Sequence, residues 1–157
     1  MGDCRTSESM AIPEVDERGF LPHGIHDASV DEVLDRFGRF RDTGRRVTLG
    51  GELAAFIEEV RGTGLVACVI VDGSFTTSKA QPGDIDLIVV LREGLETDAD
   101  FRPDQYNVMS ARRVQARHGF DVLYAVEGSE NLARAVDYFA QVTGEPGLSK
   151  GMVRVAI

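Results

Sequence analysis

The sequence predicts one α/β domain in which helices flank a mixed β-sheet. Segments with apolar residues three and four positions apart, the helical spacing, alternate with short apolar runs rich in β-branched residues, which are typical of buried strands. Along the chain these segments come in the order helix, helix, strand, strand, helix, strand, helix, strand, which favours a sheet covered by helices. A chain of 157 residues with 43% hydrophobic content is long enough for one domain with a substantial core.

The domain is expected to follow a short tail. Residues 1–12 are polar and are predicted to be disordered, and residues 13–157 are predicted to form the single domain. Residues 21–27 show no periodicity and are predicted to be an irregular connector. His23 and His26 in this connector are possible metal ligands. Neither a Cys nor a further His completes a ligand set, so a packed or exposed loop is favoured.

Two helices are predicted before the first strand. The first covers residues 29–37, where Ser29 and Glu32 form a capping box ahead of an apolar stripe. The second covers residues 45–61, with apolar side chains at helical spacing. A short basic run accompanies them: Arg39, Arg41, Arg45 and Arg46. Solvent exposure of this run is favoured, and contact with a polyphosphate or an RNA acceptor is the alternative.

The remaining elements are predicted from apolar runs, turn residues and caps. They are a strand over residues 65–71, a strand over 84–91, a helix over 103–117, a strand over 120–126, a helix after Ser129 and a final strand over 152–155. The 103–117 helix presents Arg112, Arg113 and Arg117, which form either a nucleic-acid contact or, as favoured, a solvated face.

The stretch between the first two strands carries the best candidate site. Asp84 and Asp86 stand two residues apart at the start of a strand, so both side chains point to the same face. Two carboxylates this close repel each other unless a cation lies between them, and Mg²⁺ is the hard, oxygen-seeking ion that fits. Upstream, Gly73 allows close approach of a ligand, and a short helix beginning at Ser74 would offer N–H groups to an anion. This layout predicts a site for a magnesium–nucleoside triphosphate.

The same residues carry a resemblance to a known family. A Gly-Ser pair, nine intervening residues and an Asp-x-Asp on a strand resemble the signature of the DNA polymerase β-like nucleotidyltransferase superfamily, particularly its minimal single-domain members. Four phrases are also similar to a family of small bacterial nucleotidyltransferase-like proteins. They are LPHGIH (Leu21–His26), DGSFTTSK (Asp72–Lys79), PGDIDL (Pro82–Leu87) and KGMVRV (Lys150–Val155). The resemblance spans roughly residues 20–157 and implies a fold like the nucleotidyltransferase palm.

The resemblance implies roles for individual residues. The implied catalytic residues and metal ligands are Asp84, Asp86 and a third carboxylate, Asp121, on the predicted strand over residues 120–126. The implied nucleotide-binding residues are Gly73, Ser74, Lys79 and Lys150. Two Mg²⁺ ions are the implied cofactors, with Mn²⁺ as a substitute.

The implied reaction is transfer of a nucleoside or deoxynucleoside monophosphate from a nucleoside triphosphate to a hydroxyl, with release of pyrophosphate. The acceptor is left open between a protein side chain, a tRNA, an oligonucleotide and a small molecule. Minimal members of the superfamily often act in toxin–antitoxin or phage-defence pairs, so a partner protein or a second copy of the chain is expected. The alternative is a catalytically silent nucleotide-binding or antitoxin-type interaction module, which the presence of all three carboxylates disfavours.

Other readings are excluded or disfavoured by composition and motif. The loop lacks the G-x-x-x-x-G-K-[ST] pattern of a P-loop NTPase, and no G-x-S-x-G elbow supports Ser74 as a nucleophile. The net charge of −9 argues against broad, non-specific binding to nucleic acid, although a local basic patch is compatible with it. No apolar run or leader suggests a membrane, and Cys4 and Cys68 are not expected to pair, so a cytoplasmic location is predicted.

Overall fold

The computed structural model describes residues 12–39, 44–95 and 100–157, and it confirms a mixed β-sheet flanked by helices. The strands are β1 (Ile25–Ala28), β2 (Val66–Asp72), β3 (Asp86–Leu91), β4 (Asp121–Val126) and β5 (Met152–Ala156). Their order in the sheet is β1-β5-β2-β3-β4. Strand β2 pairs antiparallel with β3 and β5, whereas the β1–β5 and β3–β4 pairs are parallel. Apart from Ile12, the predicted tail lies outside the described residues.

Helices cover the two faces of the sheet unequally. The helices are α1 (Val30–Val33), which continues as a π-helical turn (Leu34–Gly38), α2 (Gly44–Thr63), α3 (Pro103–Met109), α4 (Ala111–His118) and α5 (Glu130–Ala140). Residues of α1 to α4 pack with one face of the sheet in the larger core cluster, and α5 packs on the opposite face in a smaller cluster. Among the described residues, no helix combines the length and the apolar character that crossing a membrane requires.

The alternation of side chains along β3 determines which face each residue joins. Leu87 and Val89 are buried in the larger cluster, whereas Ile88 and Val90 are buried in the cluster of α5. Asp86 has the same parity as Ile88 and therefore projects on the α5 face.

The first strand is a correction to the sequence analysis, which predicted a connector over residues 21–27. Strand β1 pairs with β5 at the edge of the sheet, and its register places Ile25 opposite Met152. The backbone N–H of Gly151 donates to the Leu21 carbonyl at 2.9 Å, and a Cβ on Gly151 would collide with the Pro22 carbonyl oxygen. The segment before β1 can thus approach the segment before β5 because Gly151 has no side chain. Four partly exposed residues at a sheet edge give no apolar run, so sequence periodicity missed β1.

The helix predicted over residues 103–117 is in fact two helices. The chain leaves the helical conformation at Ser110, whose φ and ψ are −102° and 110°, and the Ser110 hydroxyl accepts a hydrogen bond from the Arg113 N–H at 3.3 Å. A serine in this position competes with the helix by capping the next one, which explains the break. The capping box of Ser29 and Glu32 is present as predicted.

Arg46 contradicts the expectation of a solvated basic run. Its side chain is 0% exposed, and its guanidinium lies 2.9 Å from the carbonyl oxygen of Phe37, 2.8 Å from that of Phe75 and 2.7 Å from that of Thr77. A further bond reaches the carbonyl of Lys79. One buried cation therefore ties α2 to the segment that follows β2. Arg41 lies outside the described residues.

Replacing Arg46 by Met should destabilise the protein by about 3–5 kcal/mol, because several buried carbonyls lose their donors at about 1–3 kcal/mol each. Arg46→Lys should lose less, since an ammonium keeps up to three donors. Urea unfolding followed by circular dichroism measures both effects. Arg61→Ala, which removes an exposed arginine paired with Glu58, is the control and should change stability by less than about 0.5 kcal/mol. An Arg46→Met protein as stable as the control would contradict this role.

Candidate functional site

Four carboxylates meet at one end of the sheet, on the face that α5 covers. The strand register places Asp72 of β2 opposite Asp86 of β3, and Asp86 opposite Asp121 of β4. These three side chains therefore stand side by side on neighbouring strands. Strand β3 begins at Asp86 rather than at Asp84 as predicted, so Asp84 lies in the segment that leads into the strand.

Three of these carboxylates converge closely enough to share a cation. Oxygens of Asp84, Asp86 and Asp121 all lie within 4.8 Å of one another. Burial, followed by the charges of Asp84, Asp72 and Asp121, raises the pKa of Asp86 to about 6. Converging carboxylate oxygens are the hard donors that Mg²⁺ and Mn²⁺ prefer, and a cation there would offset the repulsion. The residues present therefore fit the predicted metal.

The predicted Gly-Ser pair packs directly against the Asp-x-Asp segment. Gly73 has φ +91°, and a Cβ at this position would lie 3.0 Å from the Asp86 nitrogen and 3.2 Å from the Asp84 carbonyl oxygen. Glycine is therefore required both by the backbone conformation and by the close approach. The Ser74 hydroxyl accepts a hydrogen bond from the Gly83 N–H at 3.0 Å and lies 3.4 Å from Asp84 Oδ1. The helix predicted to begin here is a single 3₁₀ turn, Ser74–Thr76.

Lys150 forms an ion pair that sequence reasoning missed. Its Nζ lies 2.5 Å from Oδ1 of Asp72, and the two side chains are 14% and 3% exposed. Burial raises the pKa of Asp72, and the Lys150 ammonium opposes that rise. The same ammonium lowers the pKa of Asp86, although less than burial and the carboxylates raise it. A buried aspartate at the end of an apolar strand requires a counter-charge, which was the available sequence signal.

Three clefts open around Asp86. The loop cleft, of about 450 Å³, is lined by Gly73, Ser74, Lys79 and Lys150, which are the predicted nucleotide-binding residues, and by Arg18. Arg18 forms an ion pair with Glu145 and was not identified from the sequence. The loop cleft thus collects three cationic side chains beside the carboxylates.

The other two clefts lie on either side of the C-terminal end of α5. The segment cleft, of about 910 Å³, runs between Asp86, Tyr138 and residues 141–150. The β4 cleft, of about 550 Å³, is lined by Asp86 and Tyr138 as well, and also by Asp121 and Arg112. Asp86, Tyr138 and Phe139 line both of these clefts, which therefore adjoin each other.

Arg117 and His118, in the last turn of α4, make contacts with neighbouring side chains. Arg117 forms a double hydrogen bond with Glu59, at 2.6 and 2.9 Å. His118 Nδ1 lies 2.6 Å from Glu52 Oε1, and its ring stacks on Phe120 with centroids 5.6 Å apart. Of the three arginines considered there, only Arg112 lines the β4 cleft.

Comparison with known proteins identifies one family. The sequence model of a family of unknown function, DUF6932, matches residues 13–156. No curated protein and no solved structure matches the chain. The matched region includes every strand and all four carboxylates.

Asp86→Asn should stabilise the metal-free protein at pH 8. The raised pKa of Asp86 means that the folded state holds its proton more tightly than the unfolded state, so stability is lost as pH rises from about 4 through about 6. The neutral amide avoids this loss, and because Asp86 is half-exposed we expect a gain of only about 1 kcal/mol.

Urea unfolding of both proteins from pH 4.5 to pH 8 measures this gain, which should disappear at the acidic end. Added Mn²⁺ should stabilise the wild type and leave the variant unchanged. If the stability difference between Asp86→Asn and the wild type were no larger at pH 8 than at pH 4.5, the carboxylate repulsion would be refuted.

Lys150→Met should cost about 3–5 kcal/mol at pH 8, because it leaves the Asp72 carboxylate buried without its partner. The double variant Asp72→Asn/Lys150→Met should recover most of that loss. A double-mutant cycle in urea measures the coupling. Additive effects of the two single changes would show that the pair is not coupled.

Proposed function

The chain belongs to the DUF6932 family, and we propose that it is a metal-dependent nucleotidyltransferase that moves a nucleoside monophosphate, or its deoxy form, from a nucleoside triphosphate to a hydroxyl. One observation carries the proposal. The Gly73–Ser74 turn lies against a cluster of three carboxylates whose oxygens are within 4.8 Å of one another. An anion-binding turn beside a cation-binding cluster matches the two charges of a metal–triphosphate.

Asp84, Asp86 and Asp121 would hold the two Mg²⁺ ions that the resemblance implies. When bound, such ions neutralise phosphate charge and act as Lewis acids on the phosphoryl group. Lys150 keeps Asp72 paired, so that Asp72 adds less uncompensated charge to the cluster. In this proposal Lys150 acts mainly on the carboxylates, and direct contact with phosphate stays a prediction.

The loop cleft would hold the triphosphate. The cationic side chains of Arg18 and Lys79 line it together with the Ser74 hydroxyl. The Ser74–Asp84 contact is long at 3.4 Å, so the hydroxyl can donate to a phosphate oxygen at little cost. Arg46 of α2 donates hydrogen bonds to the carbonyls of Phe75, Thr77 and Lys79. These bonds therefore position the loop.

The proposed reaction consists of one proton transfer and one displacement. The Asp121 carboxylate, which is exposed at the start of β4, accepts the proton of the acceptor hydroxyl. The acceptor oxygen forms a bond to the α-phosphorus, and the bond between that phosphorus and the bridging oxygen breaks. Pyrophosphate leaves with the bond electrons. Holding both substrates in line is the main contribution of the protein.

Incubation with each α-³²P-labelled NTP and dNTP, with Mg²⁺ or Mn²⁺ and with or without total tRNA, tests the proposal on denaturing gels. Label is expected to move to an acceptor in the wild type. Asp84→Asn and Asp86→Asn should lower transfer at least about 10³-fold, because the carboxylate charge acts directly on the reacting phosphate. Asp35→Asn, which alters an exposed carboxylate paired with Arg39, should retain wild-type transfer.

The alternative is a catalytically silent nucleotide-binding or antitoxin-type module. Metal-dependent nucleotide binding with no pyrophosphate release, even with candidate partner proteins added, would favour that alternative. Near-normal transfer by Asp86→Asn would contradict the assignment of the metal ligands. A role in a toxin–antitoxin or phage-defence pair belongs to the proposal by resemblance alone. A second copy of the chain as partner and a cytoplasmic location stay predictions.

A further inference from the structure

We infer that the β4 cleft holds the acceptor, and that the acceptor presents a nucleotide to it, either a free mononucleotide or the 3′ end of an RNA. This inference rests on the proposed function, and it names the substrate that the sequence left open.

The positions of the clefts separate the two substrates. The loop cleft and the segment cleft share four lining residues, Asp86, Val142, Thr143 and Lys150. These two clefts adjoin each other, and in the proposed function they hold the triphosphate with its nucleoside. Of the three clefts around Asp86, only the β4 cleft is lined by Asp121, the residue assigned to accept the proton. The acceptor hydroxyl must therefore come from the β4 cleft.

The β4 cleft offers one guanidinium to a phosphate of the acceptor. Beyond Asp86 and Asp121, its charged lining residue is Arg112, which is exposed and has no ion-pair partner among the described residues. A guanidinium is the side chain best suited to a phosphate.

The shape and apolar surface of the cleft fit a nucleoside. Tyr138 is 69% exposed and Leu123 is 42% exposed, so both side chains are accessible to a ligand in the cleft. The side-chain amide of Gln115 adds a donor and an acceptor beside them. A tyrosine ring provides a stacking surface for a base of any identity. A volume of about 550 Å³ suits one nucleoside, whereas the hydroxyl of a protein side chain needs neither the ring nor the cation.

The acidic character of the chain limits the contact to the end of the acceptor. With a net charge of −9, the protein cannot hold a long polyanion by charge, so we expect contact with about one phosphate. For a single-stranded oligonucleotide, the slope of log K against log salt should then be near −0.7.

Two neighbouring residues provide matched controls. Arg113 follows Arg112 directly, but it lies 4.7 Å from the ring centroid of Tyr106 and bonds Asn107 at 3.1 Å. Tyr106 is 50% exposed on α3. Neither residue lines the β4 cleft.

Steady-state transfer to a short oligoribonucleotide and to a 5′-mononucleotide, with triphosphate and acceptor varied separately, tests the inference. Arg112→Ala should raise the KM for the acceptor about tenfold and leave the KM for the triphosphate unchanged, and Arg113→Ala should match wild type. Tyr138→Ala should weaken acceptor use to a similar extent, Tyr138→Phe should restore it, and Tyr106→Ala should have no effect. Arg112 is the decisive variant, because Tyr138 also lines the segment cleft. A KM at least tenfold lower for the oligonucleotide than for the mononucleotide identifies RNA as the source, and comparable values identify a free nucleotide.

Fluorescence anisotropy of a 5′-labelled oligonucleotide and competition by the mononucleotide, both with Mg²⁺ and without triphosphate, test the cleft without catalysis. The β4 cleft is supported as the binding site if Arg112→Ala weakens binding about tenfold and Arg113→Ala leaves it intact. This result supports the cleft even if the wild type transfers nothing and the proposed function fails. Transfer to a protein side chain that Arg112→Ala leaves unchanged overturns the inference while the proposed function stands. Absence of binding by either ligand, or equal binding by wild type and Arg112→Ala, also overturns it.

Discussion

Repulsion among four carboxylates at the ends of β2, β3 and β4 is the constraint to which the surrounding structure responds. The register brings Asp72, Asp86 and Asp121 together on one face, and Asp84 approaches from the preceding segment. The raised pKa of Asp86 reflects the free-energy cost of burying Asp86 and of holding these carboxylates together. A fold that served stability alone would place apolar residues here, and the cation site that we propose would offset this cost.

Two buried basic residues make that arrangement tolerable, and each acts from a distant part of the chain. Lys150 neutralises Asp72 from the segment before β5, and Arg46 holds the carbonyls of the segment after β2. Gly73 then brings the turn against the backbone of Asp86. Contacts within the protein therefore hold the turn and the carboxylates in place, which is the preorganisation that the proposed phosphoryl transfer would require.

The sequence was sufficient for features that depend on local spacing. The sequence predicted that the carboxylates of Asp84 and Asp86 lie close together, although Asp84 precedes the strand, and the capping box at Ser29 follows from a motif of four residues. Features that depend on distant pairing were not accessible. The Asp72–Lys150 pair joins residues 78 positions apart, and Arg46 is buried although its spacing resembles that of solvated arginines. Strand β1 was missed because its partner, β5, lies at the other end of the chain.

The most direct test of the account is calorimetric titration of the protein with an α,β-methylene nucleoside triphosphate at pH 6, with Mn²⁺ present or with metal removed by a chelator. The account predicts binding only with Mn²⁺. It also predicts that a separate titration with Mn²⁺ alone releases more protons at pH 6 than at pH 8, read from the dependence of the heat on the buffer, since a bound cation displaces the proton that the raised pKa lets Asp86 retain. Equal affinity without metal would contradict the claim that the carboxylate cluster is a metal–nucleotide site.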